Sequence, residues 1–385
     1  MPSPTSSRLA ASASLLTLLA LQALAAVAQP LSKLPALGLD PKSVTVSGLS
    51  SGGYMAAQFE IAYSRSVAGA AIIAGGPYGC SLGSAVTASE TCSCPFDESP
   101  DASTSVARAA CIHLPAHILA ERSRDVIAGN QGFIDSTRYL AKHRVWLYSG
   151  DADPVVDAGL VDAYQLVLRQ LHVPAKNIAR VREAQAGHGM PIATTGSCAL
   201  TQSPYLNGCG LDGAGDLLKW LYNRPTLQAA TPQTSSLKPF DQRPYRGAGD
   251  GAFSGLDDSG WIYIPSTCQQ VGAHCKLHVV FHGCEQGQKV LVKGQAYGTT
   301  FVEQAGYNRW AEGAHIVVLY PQVAPSNTVT PGLPYRFNPK GCWDFWGYTD
   351  PNGASLTPRS PPFARKDAPQ MRAVKTMIDD LTATP

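Results

Sequence analysis

The stretch Val44–Ala57 constrains this chain more than any other. Val44, Thr45 and Val46 are strand formers, and Tyr54, Met55, Ala56 and Ala57 read as the start of a helix. Between them lies Gly48-Leu49-Ser50-Ser51-Gly52, which fits G-x-S-x-G. On a strand-to-helix turn this pattern is a nucleophile elbow, which lifts a serine above the end of a sheet. The glycines suit it because a Cβ would clash where the two backbones approach. Ser50 is therefore the candidate nucleophile, against the plainer reading of a Ser/Gly turn without chemistry.

A serine nucleophile needs a base and an acid that orients it. Arg144–Ser149 reads as a buried strand running into Gly150-Asp151-Ala152-Asp153-Pro154-Val155-Val156, with Asp157 next. Three acids compete there. Asp153 is favoured because it precedes Pro154-Val155-Val156; Asp151 and Asp157 fit solvated turn acids better. Further on, His188 stands between Gly187 and Gly189. That context reads as a mobile, accessible loop from which a base can reach a hydroxyl. The order Ser50, Asp153, His188 is that of the α/β-hydrolases.

The remaining segments give an α/β pattern. Val67–Ala74, Ile178–Arg182, Gly260–Pro265, Leu277–Phe281 and Ile316–Pro321 read as strands. Ala116–Ile127, Gly132–Leu140, Leu160–Leu171, Gly215–Asn223 and Met371–Leu381 read as helices. Arg224–Gly251, rich in Pro, Gln, Ser and Thr, reads as a linker. In ordinary α/β-hydrolases a strand ending in His-Gly precedes the nucleophile and supplies an oxyanion-hole N–H. Here Leu277–Phe281, ending in His282-Gly283-Cys284, follows the histidine instead. Moving residues 240–385 ahead of residue 38 restores the ordinary order. The expectation is one circularly permuted α/β-hydrolase domain over 29–385, with the permutation junction around 224–251.

The first residues carry Arg8, an apolar run Leu9–Val27 and the small-residue end Ala26-Val27-Ala28. Residues 1–28 read as a signal peptide, with the mature chain starting near Gln29 and the protein secreted, extracellular or periplasmic. Ten cysteines then read as disulfides. Cys198–Cys209 and Cys268–Cys275 make plausible small loops. Cys80, Cys92, Cys94 and Cys111 stay unassigned, except that Cys92 and Cys94 are badly spaced to bridge each other. No zinc-type C-x-x-C pairing is present, and no cofactor or metal is called for. The net charge of +2 on 385 residues excludes a polyelectrolyte signature, so nucleic acid is not an expected partner. Beyond the leader no stretch is long and apolar enough to cross a bilayer, and a monomer is expected.

Together these motifs resemble the extracellular poly(3-hydroxybutyrate) depolymerases, in particular the single-domain, circularly permuted type known from a fungal enzyme. The resemblance spans essentially the mature chain. It rests on the elbow, the Asp153 loop, Gly187–Pro191, Leu277–Cys284, Gly306–Trp310, Tyr320–Gln322 and Gly341–Asp344. It implies a triad of Ser50, Asp153 and His188, and oxyanion donors in the backbone N–H groups of Ser51 and Cys284. It also implies a substrate crevice lined by Trp343 and a polyester or its oligomers as partner. With Cys284 and Cys342 beside these positions, a disulfide between them is expected. The competing readings are another secreted carboxylesterase, of feruloyl or acetylxylan type, a soluble hydroxybutyrate-oligomer hydrolase, and a silent binding module, which the intact Ser, Asp and His disfavour.

Overall fold

The computed structural model describes Met1 and residues 31–94, 111–247, 253–270, 272–328, 336–350 and 358–385. The expected leader therefore falls outside the described residues. Eight strands form one sheet: β1 (Thr45–Leu49), β2 (Gly69–Ile73), β3 (Arg144–Gly150), β4 (Ile178–Glu183), β7 (Leu237–Asp241), β8 (Ser259–Tyr263), β9 (Lys276–Phe281) and β12 (Ile316–Tyr320). Their spatial order is β4-β3-β2-β1-β9-β12-β8-β7. Every pairing from β4 to β12 is parallel, and β8 runs antiparallel to both its neighbours. Three two-stranded ribbons complete the strands among the described residues: β5 (Met190–Ile192) with β6 (Leu206–Gly208), β10 (Leu291–Val292) with β11 (Gln295–Ala296), and β13 (Ser326–Thr328) with β14 (Arg336–Asn338).

β2 and β12 are short apolar runs, while β1 and β9 carry buried Thr45, Ser47 and His278 among their apolar residues. β1, β2 and β12 are buried at every position, as a parallel sheet covered on both faces requires. Among the described residues eight α-helices surround it: α1 (Ser51–Ala62), α2 (Ala85–Glu90), α3 (Ala116–Gly129), α4 (Ala158–Gln170), α5 (Gly213–Leu221), α6 (Thr300–Gln304), α7 (Tyr307–Ala314) and α8 (Pro369–Thr382). α1 is buried along its whole length, including Glu60. That carboxylate is satisfied by His143 Nδ1 at 2.9 Å and by the Tyr164 hydroxyl at 2.7 Å.

Two expectations need correction. The segment read as a helix over Gly132–Leu140 forms only a 3₁₀ turn at Thr137–Lys142. The segment read as a linker contains β7, the edge strand of the main sheet. Its Pro, Gln, Ser and Thr content read as a linker, but the proline inside β7, Pro239, is tolerated on an edge, where its missing N–H breaks no second ladder. One continuous sheet thus takes strands from both sides of that segment. The segment before β1 also meets the end of α8: Leu37 N–H donates to Leu381 O at 3.3 Å, and Gly38 N–H to Ala383 O at 2.9 Å.

Candidate active site

Ser50 sits between β1 and α1 with φ 58° and ψ −121°, a conformation that L residues avoid. Such a residue costs on the order of 1–3 kcal/mol and persists only where its surroundings impose it. The constraints are visible. Ser50 N–H donates to Ile73 O at 2.9 Å, and Ser50 O accepts from Tyr54 N–H at 3.0 Å. A Cβ on Gly48 would lie 2.1 Å from Gly52 O, and one on Gly52 would lie 2.2 Å from Phe281 O. The start of α1 therefore packs directly against the end of β9, as only glycine allows.

Asp153 follows β3, and its side chain is fully buried. Oδ1 accepts from the N–H groups of Val155 and Val156 at 2.8 and 2.9 Å, while Oδ2 faces His188 Nδ1 at 2.7 Å. The rival acids are engaged elsewhere. Asp151 pairs with Arg182 at the surface, and Asp157 accepts from Gly159 N–H as the cap of α4. His188 is not the mobile, accessible residue expected from its glycines: it is 5% exposed. Its N–H donates to Thr201 Oγ1, and Gly187 N–H donates to Cys198 O, which stitches it to the loop closed by the Cys198–Cys209 disulfide. Flanking glycines are needed because that loop lies close; a Cβ on Gly187 would sit 2.6 Å from Ala199 O. Among the described residues, neither His188 Nε2 nor the Ser50 hydroxyl makes a hydrogen bond.

Ser51 is the first residue of α1, so its N–H has no partner within the helix and lies at the positive end of the helix dipole. Gly283 approaches the nucleophile from β9: a Cβ there would lie 3.4 Å from Ser50 Cβ. His282 controls the next peptide. Burial pushes its imidazole down to about 4, so the ring is neutral near pH 7. Nδ1 lies 2.8 Å from Gly283 O, and Nε2 accepts from Val323 N–H at 3.1 Å. The proton therefore sits on Nδ1 and is donated to Gly283 O. In a trans peptide the C=O and N–H point in opposite directions, so holding Gly283 O turns the Cys284 N–H away from His282. Sequence reading marked the His-Gly pair only for its backbone; the imidazole's part was missed.

Cys284 and Cys342 form a disulfide, one of five with Cys80–Cys92, Cys94–Cys111, Cys198–Cys209 and Cys268–Cys275. Trp343 requires correction. It is 0% exposed and lines no crevice. Its ring packs edge-on against Phe281 at 4.9 Å, and its backbone N–H donates to Ser51 Oγ at 3.3 Å. The reason is the next residue: buried Asp344 accepts the N–H groups of Trp346, Gly347, Tyr348 and Thr349, which winds the loop inward. A second missed feature is Tyr205. Its ring meets His188 edge-on at 6.2 Å, and its hydroxyl donates to Glu285 Oε2 at 2.6 Å. Burial works to raise the Glu285 carboxyl, but the Tyr205 hydroxyl and Lys340 outweigh it and hold the group below the usual carboxylate range. Eighty residues separate Tyr205 from Glu285, so no local pattern announced the pair.

No cluster of three or more metal-ligating side chains occurs among the described residues, and no described helix is long and apolar enough to cross a membrane.

No family model matches the chain. It is 35% identical over 356 residues to a poly(3-hydroxybutyrate) depolymerase of Delftia acidovorans, covering 91% of this chain and 62% of that protein. It is 33% identical over 345 residues to the polyhydroxybutyrate depolymerase of Talaromyces funiculosus, covering 87% of this chain and 91% of that one. The chain belongs to the polyhydroxybutyrate depolymerase family. A solved depolymerase of this family from Penicillium funiculosum superimposes with a TM-score of 0.71 at 29% identity, over 91% of this chain and 99% of that one. A serine-to-alanine variant of such a depolymerase, complexed with an R3HB trimer, gives a TM-score of 0.70 over the same shares. Like these depolymerases, the chain is an α/β protein with a mixed, mostly parallel central sheet. It spans about three fifths of the Delftia relative's length.

Proposed function

We propose that this depolymerase-family chain is a secreted serine esterase that cleaves the ester bonds of poly(3-hydroxybutyrate) and related short-chain polyhydroxyalkanoates through an acyl-enzyme. His188 Nε2 takes the proton from Ser50 Oγ, and Oγ attacks the ester carbonyl. Asp153 holds Nδ1 and stabilises the imidazolium that forms. The carbonyl oxygen, now anionic, meets the N–H groups of Ser51 and Cys284, each worth on the order of 3–4 kcal/mol in comparable enzymes. The imidazolium protonates the departing alkoxide, and the alcohol-side fragment leaves. Water, deprotonated by His188, then releases the acid-side fragment and restores Ser50. The observation that carries this reading is the 2.7 Å contact between His188 and a buried Asp153, in a chain whose Ser50 is held at φ 58°.

The chain is further read as a single permuted α/β-hydrolase domain over 29–385, behind a signal peptide at 1–28. Counted from β7, the strands lie in space as first, second, fourth, third, fifth, sixth, seventh, eighth, so restarting the chain near 224–251 leaves one swap in an otherwise sequential sheet. The meeting of Gly38 with Ala383 supports the join. Five disulfides support secretion.

A turbid poly(3-hydroxybutyrate) suspension tests the function. The protein is expected to clear it and release 3-hydroxybutyrate or short oligomers, and the Ser50→Ala variant is expected to do neither. Hydrolysis of feruloyl or acetylxylan esters without clearing would overturn the polyester reading.

A further inference from the structure

A cleft of about 410 Å³ that the catalytic steps do not use is lined by Tyr205 and Glu285. Its inner wall is the Pro204–Tyr205 turn and the Glu285–Lys340 ion pair, and its outer wall is the β10–β11 hairpin with Leu291 and Lys293. The inner wall is fixed: Pro204 O accepts from Gln286 Nε2 at 3.0 Å and from the Tyr297 hydroxyl at 2.8 Å. Two lining residues adjoin the candidate site: the Tyr205 ring meets His188 edge-on, and Glu285 follows Cys284. The hairpin turns on Lys293 (φ 50°) and Gly294 (φ 80°), a tight two-residue loop. Leu291 is 69% exposed on it, a large apolar side chain presented to whatever enters.

The charges are unequal. Lys293 and Lys340 are the lining cations, and Glu285 is the lining acid. Glu285 is already engaged by Lys340 at 3.0 Å and by the Tyr205 hydroxyl. Lys293 has no acid partner among the described residues. The cleft thus joins an apolar surface to one unspent positive charge.

We propose that this cleft is a subsite for the carboxylate-terminated end of a 3-hydroxyalkanoate oligomer, with Pro204 and Leu291 against its methyl branches and Lys293 on its carboxylate. This rests on the polyester reading above. The protein would then prefer short chains with a free acid end over the same chains capped as esters.

The test uses the 3-hydroxybutyrate trimer as free acid and as methyl ester. At low ionic strength kcat/KM for the free acid should exceed that for the methyl ester by about two- to fivefold, the range of an exposed ion pair. Salt at about 0.5 M should reduce the preference by screening. Lys293→Gln should bring the ratio close to one, whereas Lys238→Gln on distant β7 should leave it unchanged. Equal rates on both trimers in the unaltered protein, or an unchanged ratio in Lys293→Gln, would overturn the subsite while leaving the polyester reading intact. Cleavage of p-nitrophenyl butyrate with neither trimer touched would overturn both.

Discussion

At the scale of single residues the account turns on which atoms carry protons. Ser50→Ala should lower kcat by about 10⁴- to 10⁶-fold, since triad members act as a unit. Its melting temperature should hold, because the Ser50 hydroxyl makes no hydrogen bond among the described residues that the fold depends on. Asp153→Asn should lower kcat by up to about 10⁴-fold by favouring the wrong histidine tautomer. Asp151→Asn breaks only a surface pair with Arg182 and should stay within a few-fold of normal. Steady-state rates on p-nitrophenyl butyrate separate the two, and a larger loss in Asp151→Asn would reassign the acid. His282 acts one step back, through the peptide it orients. His282→Ala should cost about ten- to a hundredfold in kcat with KM little changed, because a misaligned oxyanion donor weakens only the transition state. An unchanged kcat in a folded variant would remove His282 from the mechanism.

Among the elements, α1 does two jobs: its N-terminus faces the site and its body is core. Glu60 shows the second. Removing its carboxylate with Glu60→Ala leaves His143 and Tyr164 facing an empty buried space, and a loss of about 3–5 kcal/mol in urea unfolding is expected. Trp343 belongs to the same packing, against Phe281 and beneath Ser51. Trp343→Ala should therefore lower stability by about 3–5 kcal/mol, and it should not discriminate between polymer and short esters. The elbow was legible in sequence because sterics demand glycine at fixed spacing, β3 and β12 because they carry unbroken apolar runs, and β1 and β9 because β-branched residues mark them despite the buried Thr45, Ser47 and His278. The side on which Trp343 lies was not legible. A cysteine beside it locates the loop, but the inward turn comes from Asp344 gathering four N–H groups. β7 was hidden by the Pro, Gln, Ser and Thr content of its segment, and the burial of His188 by a loop anchored through residues 198–209.

For the whole molecule, two buried histidines set an acid limit. His278, held between Thr45 and Ser47, is pushed down to about 3 by burial, and His282 to about 4. Both stay neutral in the folded protein but protonate once unfolded near the ordinary value of about 6.5. Their contribution is complete above pH 6.5 and is lost as pH falls through the folded values. The melting temperature should thus decline steadily from pH 7 to pH 4, and His282→Asn should flatten that decline; a level profile would contradict the burial assigned to both rings. The same fold brings elbow, acid and histidine loops to one sheet, and the proposed function requires an ester of Ser50. Rapid acid quenching during turnover of the 3-hydroxybutyrate trimer, followed by peptide mapping, measures that ester directly. A 3-hydroxybutyryl mass on the peptide containing Ser50, absent in Ser50→Ala, is the predicted result. Turnover with the adduct on another residue, or with Ser50→Ala still cleaving the trimer at the normal rate, would contradict it.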